Sequence, residues 1–551
     1  MPRICAALIA GVLATACVAE RIAPCPDDWC GTAVIATPAE ADVLFPPSTQ
    51  GDIGRSIIDL VFTRLADLGP DLNTVDPTSF EPRLASSWTR EDSLTIVFSL
   101  NPSARWHDGA PVTAEDVAFT YEVYRDSLVG SPARPRVLQI AGVDVRDPHT
   151  VAFRFPRAYL EQLFDAVYHM WILPKHLLGA VPRGELVSHP FGRNPIGAGP
   201  YRFVRWRAGE SVELVADSAY FLARPGLRRV IWRSTGGDMS AAITQLFSGS
   251  VDVLTYLPPE AVQRTETSDE IRAIAYQPST FYSYLLFNFR DPADPTRPHP
   301  LFADRALRRA LAVAVDRAAA VRAVDGADGI VADGPVSPAM WIYGAEYERL
   351  PYDAARGRRE LTQLGWRDSD GDGVLDRYGR RLSFSIIVPE TSAQRRRFAQ
   401  IIQEQFKSLG VEMRITELDF NTFLQRAETG RFDVFYGSYG GDPSPASISE
   451  VWTRDAIGGF NFGSYVNPDV DHAVRTALDA RDIETARGRW TDAVSLINGD
   501  APAIWISCTV PKAGVHRRFE NVSIRGDNLT ATLPLWRVPT ARRLPRDRYD
   551  N

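Results

Sequence analysis

Lysine is almost absent from this chain of 551 residues: it occurs at positions 175, 407 and 512, and arginine supplies nearly all of the 61 basic residues. We interpret this bias as genomic base composition rather than as a binding feature. An excess of positive charge is also lacking, because 68 acidic residues give a formal net charge of −7. Proteins that bind nucleic acid usually carry a basic surface, so the composition excludes DNA and RNA as expected partners.

Long apolar runs are equally scarce, since no stretch approaches the ~18 residues that a membrane-spanning helix needs. Hydrophobic residues make up 45% and charged residues 23% of the chain, as in a globular protein. The uncharged run 4–16 has the length of a signal-peptide core and leads through LATA to Cys17. Because this resembles a bacterial lipoprotein signal, residues 1–17 are predicted as a signal peptide with lipid on Cys17. Plain cleavage after residues 14–16 is the alternative.

Few cysteines remain once the signal is removed. Cys25 and Cys30 enclose four residues, and in an oxidising compartment a local disulfide between them is expected. Cys508 lies in the apolar segment 504–508 and is predicted to be a buried, inert thiol. The chain is therefore expected to be periplasmic or cell-surface, with the lipid anchor as its attachment to the membrane.

Common catalytic signatures are missing as well. The eight histidines form no pair at metal-ligand spacing, and the chain contains no H-E-x-x-H, G-x-S-x-G, Walker phosphate loop or G-x-G-x-x-G motif. Dispersed carboxylates could still form a glycosidase-like pair, so a secreted hydrolase is the alternative from a different class. We predict a protein that is not an enzyme and requires no cofactor.

Local periodicity predicts both strands and helices. Residues 94–100 alternate apolar and polar side chains, which is typical of a strand with one buried face. Thr113 followed three residues later by Asp116 indicates a capping box at the start of a helix. Residues 282–289 are strand-like, and the proline-rich stretch 290–300 that follows predicts a boundary between lobes.

The region after residue 380 predicts a parallel sheet. Residues 382–388, 411–415 and 432–436 have strand patterns, and helical patterns separate them. Strands arranged in this way pair in parallel through right-handed crossovers. Ligands of such sheets bind beyond the carboxyl ends of the strands, so residues 437–442 (GSYGGD) form a candidate site.

An acidic run at 368–376 (DSDGDGVLD) is the strongest local chemical pattern. It resembles a calcium loop, with oxygen ligands at its first, third, fifth and ninth positions and glycine at its sixth. Those ligands would be Asp368, Asp370, Asp372 and Asp376. The twelfth position, where a bidentate acid belongs, is Gly379, so a solvated acidic turn is the alternative to a structural calcium site.

Several separated segments follow the order of one known family. Residues 80–88 (FEPRLASSW), 98–117 (FSLNPSARWHDGAPVTAEDV), 194–201 (NPIGAGPY) and 307–317 (LRRALAVAVDR) resemble blocks of the family-5 extracytoplasmic solute-binding proteins. Members of this dipeptide and oligopeptide type serve bacterial ABC importers. Ala198 replaces the family's usual threonine, and the matches span most of the mature chain in the right order.

The resemblance implies an α/β fold, a two-lobed periplasmic-binding-protein clamshell of the type II, cluster C-like kind with an additional domain inserted near the N-terminus. Lobe I would be assembled from separate segments. The expected divisions are 1–17 for the signal peptide, 18–56 for the linker and first part of lobe I, 57–186 for inserted domain II, 187–289 for lobe I continued, 290–500 for lobe II (domain III), and 501–551 for the return to lobe I and the C-terminal tail.

The resemblance also implies a ligand site. Peptide binders of the family place an acid after the strand that enters the cleft, and residues 439–442 match that position, so Asp442 would pair with a peptide ammonium. The alternative is that Asp442 caps the turn at 442–445. Aromatic residues of the neighbouring segments are further ligand-binding candidates whose alternative role is core packing. These are Tyr439, Tyr282, Tyr284, Tyr436 and Trp452.

The function implied is that of a substrate-binding component of an ABC importer. It would capture dipeptides or oligopeptides by hinge closure, work as a monomer, and deliver the solute to a membrane permease with its ATPase. The same scaffold could instead hold a sugar, an opine or a metal chelate. Asp442 distinguishes these alternatives, because its loss should weaken the binding of an amine strongly and the binding of a neutral sugar little.

Overall fold

The computed structural model describes residues 29–547. Its strands, in chain order, are β1 (Thr32–Thr37), β2 (Ala66–Leu68), β3 (Phe80–Pro82), β4 (Ala85–Asp92), β5 (Thr95–Leu100), β6 (Gly142–Asp147), β7 (Thr150–Arg154), β8 (Tyr201–Arg207), β9 (Ser211–Ala216), β10 (Arg229–Ser234), β11 (Val253–Leu254), β12 (Ile271–Ala275), β13 (Tyr282–Phe287), β14 (Arg290–Asp291), β15 (Asp294–Pro298), β16 (Ile330–Val331), β17 (Asp376–Arg377), β18 (Arg380–Arg381), β19 (Ser383–Pro389), β20 (Glu412–Leu418), β21 (Val434–Tyr439), β22 (Ala503–Trp505), β23 (Ser507–Cys508) and β24 (Lys512–His516).

The α-helices connect these strands and cover the sheets. In chain order they are α1 (Asp52–Val61), α2 (Ala114–Arg125), α3 (Arg134–Val137), α4 (Gln162–Val167), α5 (Lys175–Leu178), α6 (Met239–Phe247), α7 (Pro259–Thr265), α8 (Arg305–Val313), α9 (Arg317–Asp325), α10 (Ala354–Gln363), α11 (Ala393–Lys407), α12 (Phe420–Glu428), α13 (Ser449–Trp452), α14 (Pro468–Leu478) and α15 (Ile483–Asp500).

Lobe I is built on a seven-stranded sheet in the order β12-β24-β11-β1-β10-β9-β8. β1 lies at its centre and pairs in parallel with β10 and β11, and all six of its residues are buried. β24 brings the C-terminal segment back into this sheet, antiparallel to β11 and β12. Lobe I is therefore assembled from separate segments of the chain, as the resemblance implies.

The inserted domain, residues 85–178 from β4 to α5, has its own antiparallel sheet in the order β4-β5-β7-β6. The predicted strand and helix start are both confirmed: β5 begins at Thr95, and Thr113 and Asp116 form the capping box of α2. The apolar side chains of this domain and of lobe I belong to one continuous core. The two therefore form a single packed body.

Lobe II, residues 282–508 from β13 to β23, contains a five-stranded sheet in the order β20-β19-β21-β13-β22. β19 pairs in parallel with both β20 and β21, so the predicted strand, helix, strand, helix, strand unit is confirmed. α11 and α12 are its two crossover helices. Separate apolar cores cover the two faces of the sheet.

Three of the expected boundaries are wrong. β13 lies between β21 and β22 in the lobe II sheet, so lobe II begins at β13 and not after residue 289. The stretch 290–300 contains the hairpin β14–β15 rather than a division between lobes. β22 and β23 also belong to lobe II, and the chain returns to lobe I after residue 508. The boundary at residue 57 divides α1, whose apolar face packs on lobe I.

A buried ion cluster fixes the C-terminal segment to lobe I. Arg518 donates from Nε to Asp252 at 2.8 Å and from Nη1 to Asp547 at 2.6 Å, and both carboxylates are fully buried. The Nη2 of Arg518 donates to the carbonyl of Thr32 in β1 at 2.6 Å. A buried cation is tolerated only when it is paired in this way, so the cluster fixes the end of the chain against the central strand.

The cysteines agree with the predictions as far as the structure describes them. Cys508 is free and buried, and burial raises the pKa of its thiol to about 12. Cys30 is disulfide-bonded. Its expected partner Cys25, like the lipidation site Cys17, lies outside the described residues, so the pairing and the lipid stay predictions. Within residues 29–547, every helix is too short or too polar to cross a bilayer.

Candidate functional site

The carboxyl ends of β19 and β21 meet at one edge of the lobe II sheet, which faces the inserted domain. The loop after β21 carries Asp442 to this edge, where the sequence predicts a site. Contacts then join the two bodies directly: the amide of Leu160 donates to the carbonyl of Ala480 at 3.1 Å, and Arg157 reaches Asp479 at 2.5 Å. The seam between lobe II and the inserted domain is therefore closed in this structure.

Asp442 has two different contacts, one for each carboxylate oxygen. Oδ1 accepts from the amide of Ser444 at 2.8 Å, which is the turn-capping role named above as the alternative. Oδ2 accepts from Nη2 of Arg136 at 3.2 Å, across the seam. The position expected for a peptide ammonium therefore faces a cation that belongs to the protein itself.

Arg136, on the short helix α3, is surrounded by acids. Its Nε also lies 3.4 Å from Oε1 of Glu450, whose other oxygen accepts from the hydroxyl of Tyr439 at 2.7 Å. Although burial alone would lower the pKa of Arg136, the carboxylates of Asp442, Asp165, Glu450 and Glu161 raise it above its ordinary value. Arg136 is thus a firmly charged cation that joins the inserted domain to lobe II.

Glu161 makes the most deeply buried contact across the seam. One carboxylate oxygen accepts from the hydroxyl of Thr74, and the other accepts from the hydroxyl of Ser444 in lobe II at 2.6 Å. Burial raises the pKa of Glu161 to about 7, against the lowering effects of both hydroxyls and of Arg136. The seam therefore contains a carboxyl group that titrates near neutral pH.

Most of the predicted aromatic residues lie elsewhere. Tyr282, Tyr284, Tyr436 and Trp452 are buried in the cores of lobe II, where Trp452 donates from Nε1 to the hydroxyl of Tyr282 at 3.1 Å. Their assignment to the cleft surface is corrected to core packing. β13 is a central strand and not an edge, so its tyrosines meet the side chains of its neighbours. Tyr439, at the end of β21, is only partly buried and does lie at the seam.

Arg395 is a residue at this edge that sequence reasoning missed. It lies in the first turn of α11, directly after β19, and contacts the carbonyl of Tyr436 at 3.5 Å. Within the described part of the chain no carboxylate pairs with it, and burial lowers the pKa of its guanidinium. An arginine at the start of a helix, where the dipole disfavours positive charge, is the signal that could have revealed it.

The acidic run is an exposed turn in which three of the four expected calcium ligands come together. Oxygens of Asp368, Asp370 and Asp372 lie within 4.8 Å of one another. Asp376 instead accepts from the amide and hydroxyl of Ser369, at 2.9 and 2.6 Å. Calcium at this turn stays a prediction, and the solvated turn stays its alternative.

A larger cavity of about 650 Å³ lies wholly on the other side of the seam, in lobe I and its junction with the inserted domain. Arg64 and Arg525 line it and share Asp67, at 3.3 and 3.2 Å, while Arg64 also pairs with Asp59 at 3.2 Å. Of the described residues that line it, none belongs to lobe II. Its buried charges are thus already paired, and its shape does not depend on lobe closure.

Comparisons with known proteins agree with the fold. Residues 79–458 match the family model described as "Bacterial extracellular solute-binding proteins, family 5 Middle". The chain is 26% identical over 458 residues to the oligopeptide-binding protein AppA of Bacillus subtilis, covering 82% of this chain and 81% of that protein. It is 30% identical over 454 residues to protein XP55 of Streptomyces lividans, covering 82% and 78%.

Solved structures show the same architecture. The structure of Bacillus subtilis AppA in complex with a nonapeptide superposes with a TM-score of 0.77 at 24% identity, covering 93% of this chain and 99% of that one. NikZ from Campylobacter jejuni in complex with Ni(L-His) gives a TM-score of 0.79 at 24% identity, covering 92% and 99%. At these identities the likeness establishes the two-lobed fold.

Proposed function

Since this chain belongs to the family-5 bacterial extracellular solute-binding proteins, we propose that it captures peptides at the edge of lobe II that carries Asp442. The observation that carries the proposal is a pair of opposite charges at this one edge. Asp442 follows β21 and Arg395 follows β19, and these two strands run in parallel. A peptide with free ends carries the complementary pair, an ammonium and a carboxylate.

Asp442 supplies the negative end of this site. Its partner in the structure is the guanidinium of Arg136, which holds the position that a ligand ammonium would take. A carboxylate enclosed between two bodies is costly unless a cation pairs with it. Arg136 therefore stabilises Asp442 when no solute is bound, and a peptide ammonium would share or replace that contact.

Arg395 supplies the positive end. Its lowered pKa reflects a guanidinium that is largely removed from water and lacks a carboxylate among residues 29–547. A peptide carboxylate would provide a bidentate partner, the arrangement that a planar guanidinium binds best. The relatives support the class of solute, because AppA of Bacillus subtilis is an oligopeptide-binding protein.

Capture would proceed by hinge closure without chemistry on the solute. The chain crosses between the lobes twice, and the amide of Tyr276 donates to the carbonyl of Pro511 where these crossings run side by side. Closure would bury the solute between the lobes and offer the closed form to a membrane permease of the ABC type. A lipid on Cys17 would hold this monomer at the membrane.

The test is native mass spectrometry of the protein that begins after Cys17, followed by calorimetric titration with peptides of two to nine residues. Peptides should bind and raise the melting temperature, since they bind the folded form only. Asp442→Asn should weaken binding about tenfold or more, as expected when a buried charged hydrogen bond is lost. Asp492→Asn, on the exposed face of α15, is the matched control.

The same experiment distinguishes peptide capture from the binding of other solutes. A co-purified sugar, opine or metal chelate, together with no response to any peptide, would refute peptide capture while leaving the clamshell function intact. Turnover of the added peptides by the pure protein would instead support the hydrolase alternative.

A further inference from the structure

A small cavity of about 160 Å³ lies in the seam behind Arg136. One side comes from the inserted domain and the other from lobe II, so it is complete only when the two bodies are closed together. An engineered cavity of about 150 Å³ accommodates benzene, so this space can hold the end of one long side chain. Among the residues that line it are Glu161, Asp165, Glu450, Tyr159 and Trp490.

Asp165 is the lining residue with an unsatisfied buried oxygen. Its side chain is only 2% exposed, and its Oδ2 accepts from the hydroxyl of Tyr159 at 2.7 Å. Its Oδ1 has no hydrogen-bond partner in the described part of the chain. Nε2 of His169 lies 3.5 Å from this oxygen, outside hydrogen-bond geometry, and also lacks a hydrogen-bond partner. A buried carboxylate oxygen without a donor is costly, and a ligand cation would satisfy it.

The charge around the cavity is predominantly negative. Three acids line it, Glu161, Asp165 and Glu450, against the cations Arg136 and Arg157. Arg136 divides its charge between Asp442, outside the lining, and Glu450 within it, while Arg157 pairs with Asp479 outside the lining. Burial is the first cause of the raised pKa values of Glu161 and Glu450; Asp165 raises the first and Asp442 the second further, against the lowering effect of Arg136.

Aromatic side chains complete the lining. Tyr159, Trp341 and Trp490 border the same space as the carboxylates. Rings attract ammonium and guanidinium groups through their negative faces, and tryptophan does so most strongly. Aromatic rings beside a buried carboxylate favour an organic cation over a metal ion, which would require several oxygen ligands.

We propose that this cavity binds the basic side chain of a peptide held between the lobes, with the lysine ammonium or arginine guanidinium pairing with Asp165. The inference rests on the proposed peptide capture and adds a preference for basic peptides. Because both bodies line the cavity, such a side chain also strengthens closure.

The experiment is calorimetric titration of the full mature chain with peptide pairs that differ in one charge: arginine against citrulline, and lysine against acetyl-lysine, at each position of a tripeptide. The wild type should bind the charged member at least tenfold more tightly at one position, as expected for a charged buried pair. Asp165→Asn should reduce that ratio to near one while leaving the affinity for the citrulline peptide nearly unchanged.

Two further variants keep the result interpretable. Glu450→Gln removes a second cavity carboxylate without touching the Tyr159–Asp165 hydrogen bond, so it tests the preference even if Asp165→Asn folds poorly. Glu185→Gln, exposed in the segment that follows α5, is the control and should keep the wild-type ratio. Peptides bound without preference for the charged member would overturn this inference alone. Failure of every peptide to bind would overturn the proposed function as well.

Discussion

Replacing Glu161 with glutamine is predicted to remove most of the pH dependence of ligand binding. Glu161 accepts hydrogen bonds from Thr74 on one side of the seam and from Ser444 on the other, and burial raises its pKa from 4.5 to about 7. Opening the seam would expose this carboxyl group to water and return it toward its ordinary pKa. The closed form therefore binds a proton more tightly than the open form does.

The direction and magnitude of this pH dependence follow from the linkage between proton binding at Glu161 and closure of the seam. The stabilisation of the closed form is complete below pH 4.5 and is lost as the pH rises through about 7. The shift corresponds to at most ~3 kcal/mol. With these two pKa values, the equilibrium constant for closure is about 30-fold larger at pH 5.5 than at pH 8. A solute that binds only the closed form should gain affinity by the same factor.

The assay is calorimetric titration of one tightly binding peptide at four pH values between 5.5 and 8, each in two buffers of different ionisation enthalpy. Wild-type protein should take up a proton on binding near pH 6, and Glu161→Gln should not. Asp442, Glu450 and His169 face the same seam in both proteins, so the difference between the two profiles isolates Glu161. Identical profiles, or tighter wild-type binding at pH 8, would refute the reasoning; Glu185→Gln is the control.

Two further predictions concern the scaffold. Arg518→Met should lower the free energy of unfolding by about 3–5 kcal/mol, measured in urea, because it leaves the carboxylates of Asp252 and Asp547 buried without their central cation; a loss below 1 kcal/mol would contradict that role. Gly197→Ala should abolish or severely reduce soluble expression, because its Cβ would lie 1.8 Å from the carbonyl oxygen of Val61. Gly184→Ala, which meets open space, should keep the wild-type melting temperature.

Sequence patterns predicted those elements that are determined by residues close together in the chain. The capping box at Thr113 and the parallel strands of lobe II depend on residues within one or two turns or on short crossovers, and both are present. Asp442 could be placed at the sheet edge for the same reason, because it directly follows the last strand of that unit.

Contacts between distant segments could not be predicted in this way. Arg136 and Asp442 are 306 residues apart, and α3 carries no signal that it faces lobe II. The strand β13 looked like the last strand of lobe I because a proline-rich stretch follows it, yet its hydrogen bonds run to β21 and β22. Alternating tyrosines likewise indicate burial without indicating which neighbour buries them.

The attachment of both ends of the described chain to lobe I has a mechanical consequence. The amide of Gly31 donates to the carbonyl of Asp547 at 3.3 Å, and the amide of Thr32 donates to the side chain of Asp547 at 2.7 Å. A membrane tether upstream of Thr32 would therefore pull on lobe I alone. Lobe II could swing about the two crossings without stretching that tether, so a lipid anchor on Cys17 would add no load to the opening motion.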